Sequence, residues 1–402
     1  YRPRVEPDPA AIARAVALLA AAERPVIYSG GGVINAGPEA ARALTELARA
    51  IGAPVTSTLM GLGAFPASDP QWLGMLGMHG SWEANHAMHG CDVMLCVGAR
   101  FDDRVTGRVD AFSPGSRKIH IDIDPSSIGK IVSAEVGIVA DAGRALDALL
   151  TCWREQPRAE PTVRIGGWWR QIDDWRARRC FAYAPDAERI KPQHALERLE
   201  ALTAGRDRYI TTEVGQHQMW AAQYLRFVAP NRWMTSGGLG TMGYGLPAAI
   251  GVQLAHPDAL VIDVAGEASI QMCIQELSTA VQYRAPVKVM ILNNEWMGMV
   301  RQWQQLLHGE RYAHSYSESL PDFVKLAEAY GATGLRVEHP SALDEAIRAM
   351  IDTPGPVLLD CRIVKEENCF PMIPSGRAHN EMLLGDAGDL GEAIGADGRG
   401  LV

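Results

Sequence analysis

"ALVIDVAGEASIQMCIQELSTAVQYRAPVKVMILNN" occupies residues 259–294. Two runs within it, 259–266 and 287–294, are apolar and rich in β-branched residues, so they read as strands buried on both faces. Residues 269–284 between them have the apolar spacing of a helix. Strand, helix and strand in that order predict parallel strands joined by a crossover. Both strands then end on the same edge of the sheet, and ligands of open parallel sheets bind beyond the carboxyl ends of the strands. The first run leads into Gly266-Glu267-Ala268, and the second ends in Asn293-Asn294.

One carboxylate and one carboxamide at such an edge suit a hard cation such as Mg²⁺, which takes oxygen ligands and keeps phosphate oxygens among them. The tip of the intervening helix favours an anion in the same place. Gly266 and Ala268 leave room for a phosphate near the backbone. The same residues also fit a plain strand–turn–helix, with Glu267 and Ser269 as caps and Asn293-Asn294 as a turn.

The alternation continues on both sides. Strands are expected at 208–214, 333–337 and 356–363, and helices at 242–255, 321–331 and 341–352. Further upstream, strands are expected at 25–30, 54–59, 91–98 and 118–124, with helices at 37–52 and 143–153. The fold class is therefore α/β, with two doubly wound parallel-sheet domains at 1–153 and 191–365. Residues 154–190 mix charges, Pro and several Trp, and read as a linker whose helix packs on a domain surface. The tail, 366–402, is Gly-rich, lacks periodicity and is expected to be partly mobile.

Composition narrows the function. A net charge of −9 and the lack of a basic block disfavour nucleic acid as a partner. No apolar run is long enough for a membrane span. The 7 cysteines are scattered without a CxxC pair, as in a reduced, cytoplasmic protein, and no zinc site is expected. The first residue is Tyr1, which suggests a trimmed or processed product.

"GEAS", 23 residues and "NN" resemble the thiamine diphosphate signature, with Glu267 where Asp is usual and Ala268 where Gly is usual. The longer arm keeps the charge and alters the metal geometry. Beyond this signature the chain resembles the catalytic large subunits of acetolactate synthase (acetohydroxyacid synthase). The resemblance rests on "EVGQHQMWAAQY" (213–224), "SGGLGTMGYGLPAAIG" (236–251), "GMVRQWQQ" (298–305) and "PMIPSG" (371–376). In the first half it rests on "YSGGGV" (28–33), "TLMGLGAFP" (58–66), "LGMHG" (76–80), "GARFDDRVTG" (98–107) and "HIDIDP" (120–125).

The resemblance implies three cofactors: thiamine diphosphate, Mg²⁺ and FAD. It assigns Mg²⁺ to Glu267, the Asn294 side chain and the Trp296 carbonyl. It places Val214, Gly215, Gln216 and His217 at the diphosphate, with the Gln216 amide and His217 imidazole as donors. Gly240 and Met242 face the middle of the cofactor, and Ser269, Gly298 and Met299 complete its pocket. Met242 would hold the cofactor bent, so that its own amino group reaches the carbon to be deprotonated; plain core packing is the alternative for this side chain.

For FAD the resemblance implies Gly30, Gly31 and Gly32, then Thr58, Leu59, Met60, Gly77, Met78 and His79, and finally Arg100, Asp122, Ile123 and Asp141. The flavin has a largely structural role in this family, and "SGGG" could instead be only a turn. Arg104 and Trp303 are the expected specificity residues, one for the carboxylate and one for the alkyl group of the second 2-keto acid. A surface ion pair within "RFDDR" and ordinary helix packing are their respective alternatives.

The implied reaction decarboxylates pyruvate and joins the product to pyruvate or 2-ketobutyrate, early in branched-chain amino-acid biosynthesis. Implied partners are these 2-keto acids, further copies in a homodimer or homotetramer, and a regulatory small subunit. Family members carry another α/β domain ahead of these two, with a Glu that promotes proton transfer on the cofactor. The chain is therefore expected to be a fragment with little activity by itself. Other readings are a sister carboligase or pyruvate oxidase, and a non-catalytic nucleotide-binding subunit. An NAD-dependent dehydrogenase is disfavoured, because no expected strand leads into a Gly-x-Gly-x-x-Gly turn.

Overall fold

The computed structural model describes residues 3–155 and 161–385. Six strands form the first sheet: β1 (Pro25–Ser29), β2 (Val55–Ser57), β3 (Trp72–Met75), β4 (Val93–Val97), β5 (Arg117–Asp122) and β6 (Val136–Val139). Six more form the second: β7 (Arg208–Thr212), β8 (Trp233–Met234), β9 (Leu260–Ala265), β10 (Lys288–Asn293), β11 (Thr333–Val337) and β12 (Val357–Arg362). The orders are β3-β2-β1-β4-β5-β6 and β11-β12-β10-β9-β7-β8, with parallel pairing throughout.

This is the expected α/β class with two doubly wound sheets. Central strands such as β1, β4, β9 and β10 are buried at every residue, which is why they read as continuous apolar runs. β3, β6 and β8 escaped notice because they are edge strands of two to four residues.

Several expectations need correction. The helix expected over 269–284 is three pieces: Glu267–Ile270, a 3₁₀ turn at Ile274–Glu276, and Leu277–Gln282. Cys273 leaves helical geometry at φ −135°, and a Cβ on Gly243 would meet the Met272 and Cys273 side chains there at 2.9 Å, so the bare glycine allows the chains to cross closely. The long dipole pointing at the strand ends is thus absent; only one turn of N–H groups remains there. The helix expected from 242 begins at Gly245, because Gly243 has φ +94°.

Part of the linker, 156–160, lies outside the described residues. The remainder does more than lie on a surface. Ile165, Trp168 and Ile172 are buried with Val26, Tyr28, Met94 and Cys96, and complete the core on one face of the first sheet. Trp168 Nε1 donates to the Pro25 carbonyl at 3.1 Å.

The tail expectation also divides. Residues 386–402 lie outside the described residues. Residues 366–385 are irregular but tied to both domains. Ile373 N–H donates to Met78 O at 2.8 Å, and Arg108 N–H donates to Arg377 O at 3.1 Å. The His79 ring donates from Nδ1 to Pro371 O at 3.2 Å, and the His379 ring from Nε2 to Val105 O at 2.5 Å.

Those two imidazoles make the clasp acid-sensitive. Burial pushes each down to about 4, and Arg104 beside His79 and His89 beside His379 act in the same direction. Unfolded histidine takes a proton near pH ~6.5. Stability is therefore intact above that value and is lost as pH falls towards 4. Between pH 7 and 5 each ring is expected to remove about 2 kcal/mol. Urea unfolding at the two pH values checks this, with His379→Gln expected to lose a substantial part of the difference. Equal stability at both would contradict it.

Candidate functional site

Both sheets have a point where chain order reverses: between β1 and β4 in the first, and between β7 and β9 in the second. Such points leave a crevice beyond the strand ends. After β1 come Gly30–Gly32, and after β4 comes Gly98. After β7 comes Glu213-Val214-Gly215, and after β9 comes Gly266-Glu267. One cavity of about 1400 Å³ runs from the first crevice to the second. Single-ligand pockets run to about 1,000 Å³, so this one has space for more than one group.

At the second crevice, Glu267 is 1 % exposed and Asn294 5 %. Burial pushes the Glu267 carboxyl up to about 7, opposed by backbone N–H groups at Asn294 and Trp296. The carboxylate and the Asn294–Trp296 turn are therefore neighbours. Glu267 Oε1 is buried without a hydrogen-bond partner among the described residues. An isolated acceptor of this kind is costly unless something else uses it. No cluster of three His, Cys, Asp or Glu occurs among the described residues, so a metal here would depend on one carboxylate with amide and carbonyl oxygens. That donor set fits Mg²⁺ carrying phosphate oxygens. Asn294 Oδ1 already accepts from Trp296 N–H at 3.2 Å and has a second lone pair free.

His217 and Gln216 differ from expectation in detail. The His217 ring lies against the bare α-carbons of Gly215 and Gly266, where a Cβ would meet it at 2.8 and 2.7 Å. Gly266 thus makes room for an imidazole, not directly for a phosphate. Burial pushes that imidazole down to about 3, and its Nε2 is buried and unpartnered among the described residues. It is a neutral ring with a free polar atom in the cavity wall. The Gln216 amide, by contrast, is spent on protein: Nε2 donates to Gln302 Oε1 at 2.9 Å and to Glu367 O at 3.1 Å. Gly298 lies so close that a Cβ there would meet Gln216 Oε1 at 2.0 Å. Val214, Ser269 and Met299 line the same cavity.

Gly240 and Met242 sit on the loop that leads to helix Gly245–Ala255, and both line the cavity. Met242 is half-buried at this wall, so plain core packing does not describe it. The loop contains Gly-Leu-Gly-Thr-Met-Gly at 238–243, after β8 and before a helix. That is the dinucleotide spacing which the strand reading missed. Its helix entrance is closed, however. Glu213, fully buried, accepts from Gly243 N–H at 2.5 Å and Leu246 N–H at 3.1 Å. A carboxylate thus occupies the place a pyrophosphate would need. Beside it, Asp263 is pushed well above its ordinary value by burial and by the Glu213 charge. Neither acid was singled out from sequence, although Asp263 interrupts an otherwise apolar strand.

The first crevice carries the residues expected for a nucleotide. Gly31, Gly32, Thr58, Leu59 and Met60 line the cavity, as do Met78, His79, Arg100, Asp122, Ile123 and Asp141. Thr58 Oγ1, Tyr28 OH and His79 Nε2 are buried there without partners among the described residues, which fits a polar ligand such as FAD. Gly30 and Gly77 do not line it. A Cβ on Gly30 would meet Gly98 O at 2.3 Å, and one on Gly77 would meet Arg104 O at 2.7 Å, so both serve close chain crossings. A Cβ on Gly32 would likewise meet the Gly98 α-carbon at 2.6 Å.

Arg104 and Trp303 meet at the cavity wall. The guanidinium carbon lies 5.7 Å from the ring centroid. Arg104 also pairs with Asp103 at 3.7 Å, but its side chain is 62 % exposed, so that pair leaves it available to an anion. Trp303 is half-buried on helix Gly298–Leu307 and faces the cavity.

Comparison with known proteins agrees with this arrangement. Residues 12–149 match the family model described as thiamine pyrophosphate enzyme, central domain, and residues 213–361 match thiamine pyrophosphate enzyme, C-terminal TPP binding domain. The chain is 48% identical over 387 residues to the acetolactate synthase isozyme 3 large subunit of Escherichia coli (strain K12), covering 96% of this chain and 67% of that protein. It is 44% identical over 385 residues to the acetolactate synthase large subunit of Haemophilus influenzae, covering 96% of this chain and 66% of that protein. The corresponding subunit of Cyanidium caldarium is 43% identical over 384 residues, covering 95% of this chain and 65% of that protein. The chain thus spans roughly two thirds of the length of these curated relatives.

Proposed function

This chain belongs to the family of acetolactate synthase large subunits, thiamine pyrophosphate enzymes, and from that premise we propose that it is the flavin- and thiamine diphosphate-holding portion of such a subunit. The observation that carries the reading is the unpartnered Glu267 oxygen beside the Asn294–Trp296 turn, in one cavity with the glycines after β1. Bound thiamine diphosphate supplies the carbon nucleophile for joining two 2-keto acids. Glu267, Asn294 and the Trp296 carbonyl are the residues to hold Mg²⁺. His217, a neutral ring whose single N–H is drawn to the Glu213 carbonyl, lines the diphosphate corner without donating to it, and Met242 supports the cofactor. Arg104 binds the carboxylate of the incoming 2-keto acid, and Trp303 shapes the space for its alkyl group. The first crevice takes FAD as a structural ligand.

The domain boundaries we propose are 1–153 for the FAD part and 191–365 for the diphosphate part, with 154–190 and 366–402 as linker and tail. The matches at 12–149 and 213–361 lie inside these limits. Pyruvate and 2-ketobutyrate are the proposed substrates, and further copies of the chain and a regulatory small subunit the proposed partners. Among the described residues no helix is long and apolar enough to cross a membrane, and we place the protein in the cytoplasm.

Titration of thiamine diphosphate into the chain tests the reading. Saturable binding is expected with Mg²⁺ and a loss of at least about tenfold in affinity with a chelator. Identical binding with and without the metal would overturn it.

A further inference from the structure

Gln302 was not among the expected site residues, yet its amide is fully used. Its Oε1 accepts from Gln216 Nε2 at 2.9 Å and from Cys369 N–H at 2.7 Å. Its Nε2 donates to Cys369 O at 3.1 Å and lies 3.3 Å from Met372 Sδ. The residue is 0 % exposed. It stands on helix Gly298–Leu307, between Met299 and Trp303. Gln216, its partner, receives Asn294 Nδ2 on its own Oε1 at 3.4 Å. Three carboxamides therefore run head to tail from Asn294 through Gln216 to Gln302, every donor pointing the same way, and the series ends on the Cys369 carbonyl.

We propose that Gln302 is a positioning residue that couples the metal and diphosphate corner to the helix carrying Trp303. The proposal rests on the reading of that corner given above. The physical basis is the alignment of the amides. A cation drawing on Asn294 Oδ1 makes its Nδ2–H a stronger donor, and a series of aligned hydrogen bonds passes such polarisation along. A buried amide with all its sites used is also rigid, because any shift strands a donor or acceptor away from water. Tightening at Asn294 is therefore transmitted to the helix at Gln302, one residue from Trp303. The helix has other anchors: Arg301 Nη1 donates to Glu366 O and Asn368 Oδ1, each at 3.2 Å, and Leu306 is buried. Loss of the Gln302 amide alone should thus leave it folded.

Hydrogen exchange of the 402-residue chain, with and without thiamine diphosphate and Mg²⁺, tests the coupling. In the wild type, amides of 298–307 are expected to exchange about tenfold more slowly with the cofactor. In Gln302→Met and in the shorter Gln302→Asn, the cofactor still binds but the slowing falls below about twofold. Gln302→Glu, which sets a carboxylate oxygen against the Cys369 carbonyl in place of the donor, should lose the response as well, although it keeps both acceptances. Either disrupting variant suffices if the other does not fold. Cofactor binding with undiminished slowing in a disrupting variant overturns the coupling alone. A wild-type chain that takes up no cofactor overturns both the coupling and the reading beneath it.

Discussion

Glu267→Ala is expected to weaken Mg²⁺-dependent binding of thiamine diphosphate by at least about 100-fold, while the metal-free chain unfolds at the same temperature or a higher one. The two halves of this expectation have one cause. The carboxyl is buried, one of its oxygens has no partner among the described residues, and burial raises it to about 7. Without a cation, such a group opposes folding whenever it is ionised. With a divalent ion, the same oxygen becomes a strong ligand. A residue kept for folding would show the opposite pattern, a fall in stability with binding little changed. Glu267→Asp, which restores the commoner acid of the signature, should keep binding within about tenfold of the wild type, since the charge remains and only the reach changes. Calorimetric titration with the cofactor at fixed Mg²⁺, beside thermal unfolding of the metal-free proteins, measures both. Unchanged binding by the alanine variant would remove the metal assignment.

The same stretch explains which parts of the molecule could be read from sequence. β9 and β10 are buried on both faces, so their side chains are apolar apart from Asp263, Lys288 and Asn293, and the pattern is plain. The parallel order follows, and with it the edge on which Glu267 and Asn294 emerge. The edge strand β8 has two residues and no such constraint, so nothing marked it. The broken helix after Glu267 was illegible for another reason. Its apolar spacing is continuous, and the interruption falls where the segment packs closely on Gly243, which is far from it in the chain. Glu213 and Gln302 were missed because their importance lies in what they touch. A carboxylate that takes the N–H groups at a helix start, and an amide shared by three segments, are tertiary facts. The only local hint was polarity in an apolar setting, and Asp263 and Asp360 offered the same hint.

Asp360→Ala is expected to destabilise the chain by about 3 kcal/mol or more, the largest single loss anticipated outside the apolar core. Asp360 is 0 % exposed in β12 and pairs in register with Ile291 of β10 and Arg336 of β11. Its Oδ2 accepts from Arg336 Nε and Arg362 Nε, each at 3.1 Å, and its Oδ1 from Asn293 Nδ2 at 2.9 Å. Removing it leaves two half-buried guanidinium groups close together and a buried carboxamide without its acceptor. Asp322 and Glu295 also pair with the two arginines, so the cations are not abandoned, and the loss should stay below that of a fully isolated charge. Asp360→Asn keeps an acceptor for Asn293 and should lose about half as much. The first Asn of the pair is thus a brace on which the second depends. Its loss should weaken cofactor binding as well, although Asp360 is not itself a ligand. Urea unfolding of the two variants separates these contributions; a change below about 1 kcal/mol in the alanine protein would mean that Asn293 and the arginines find other partners.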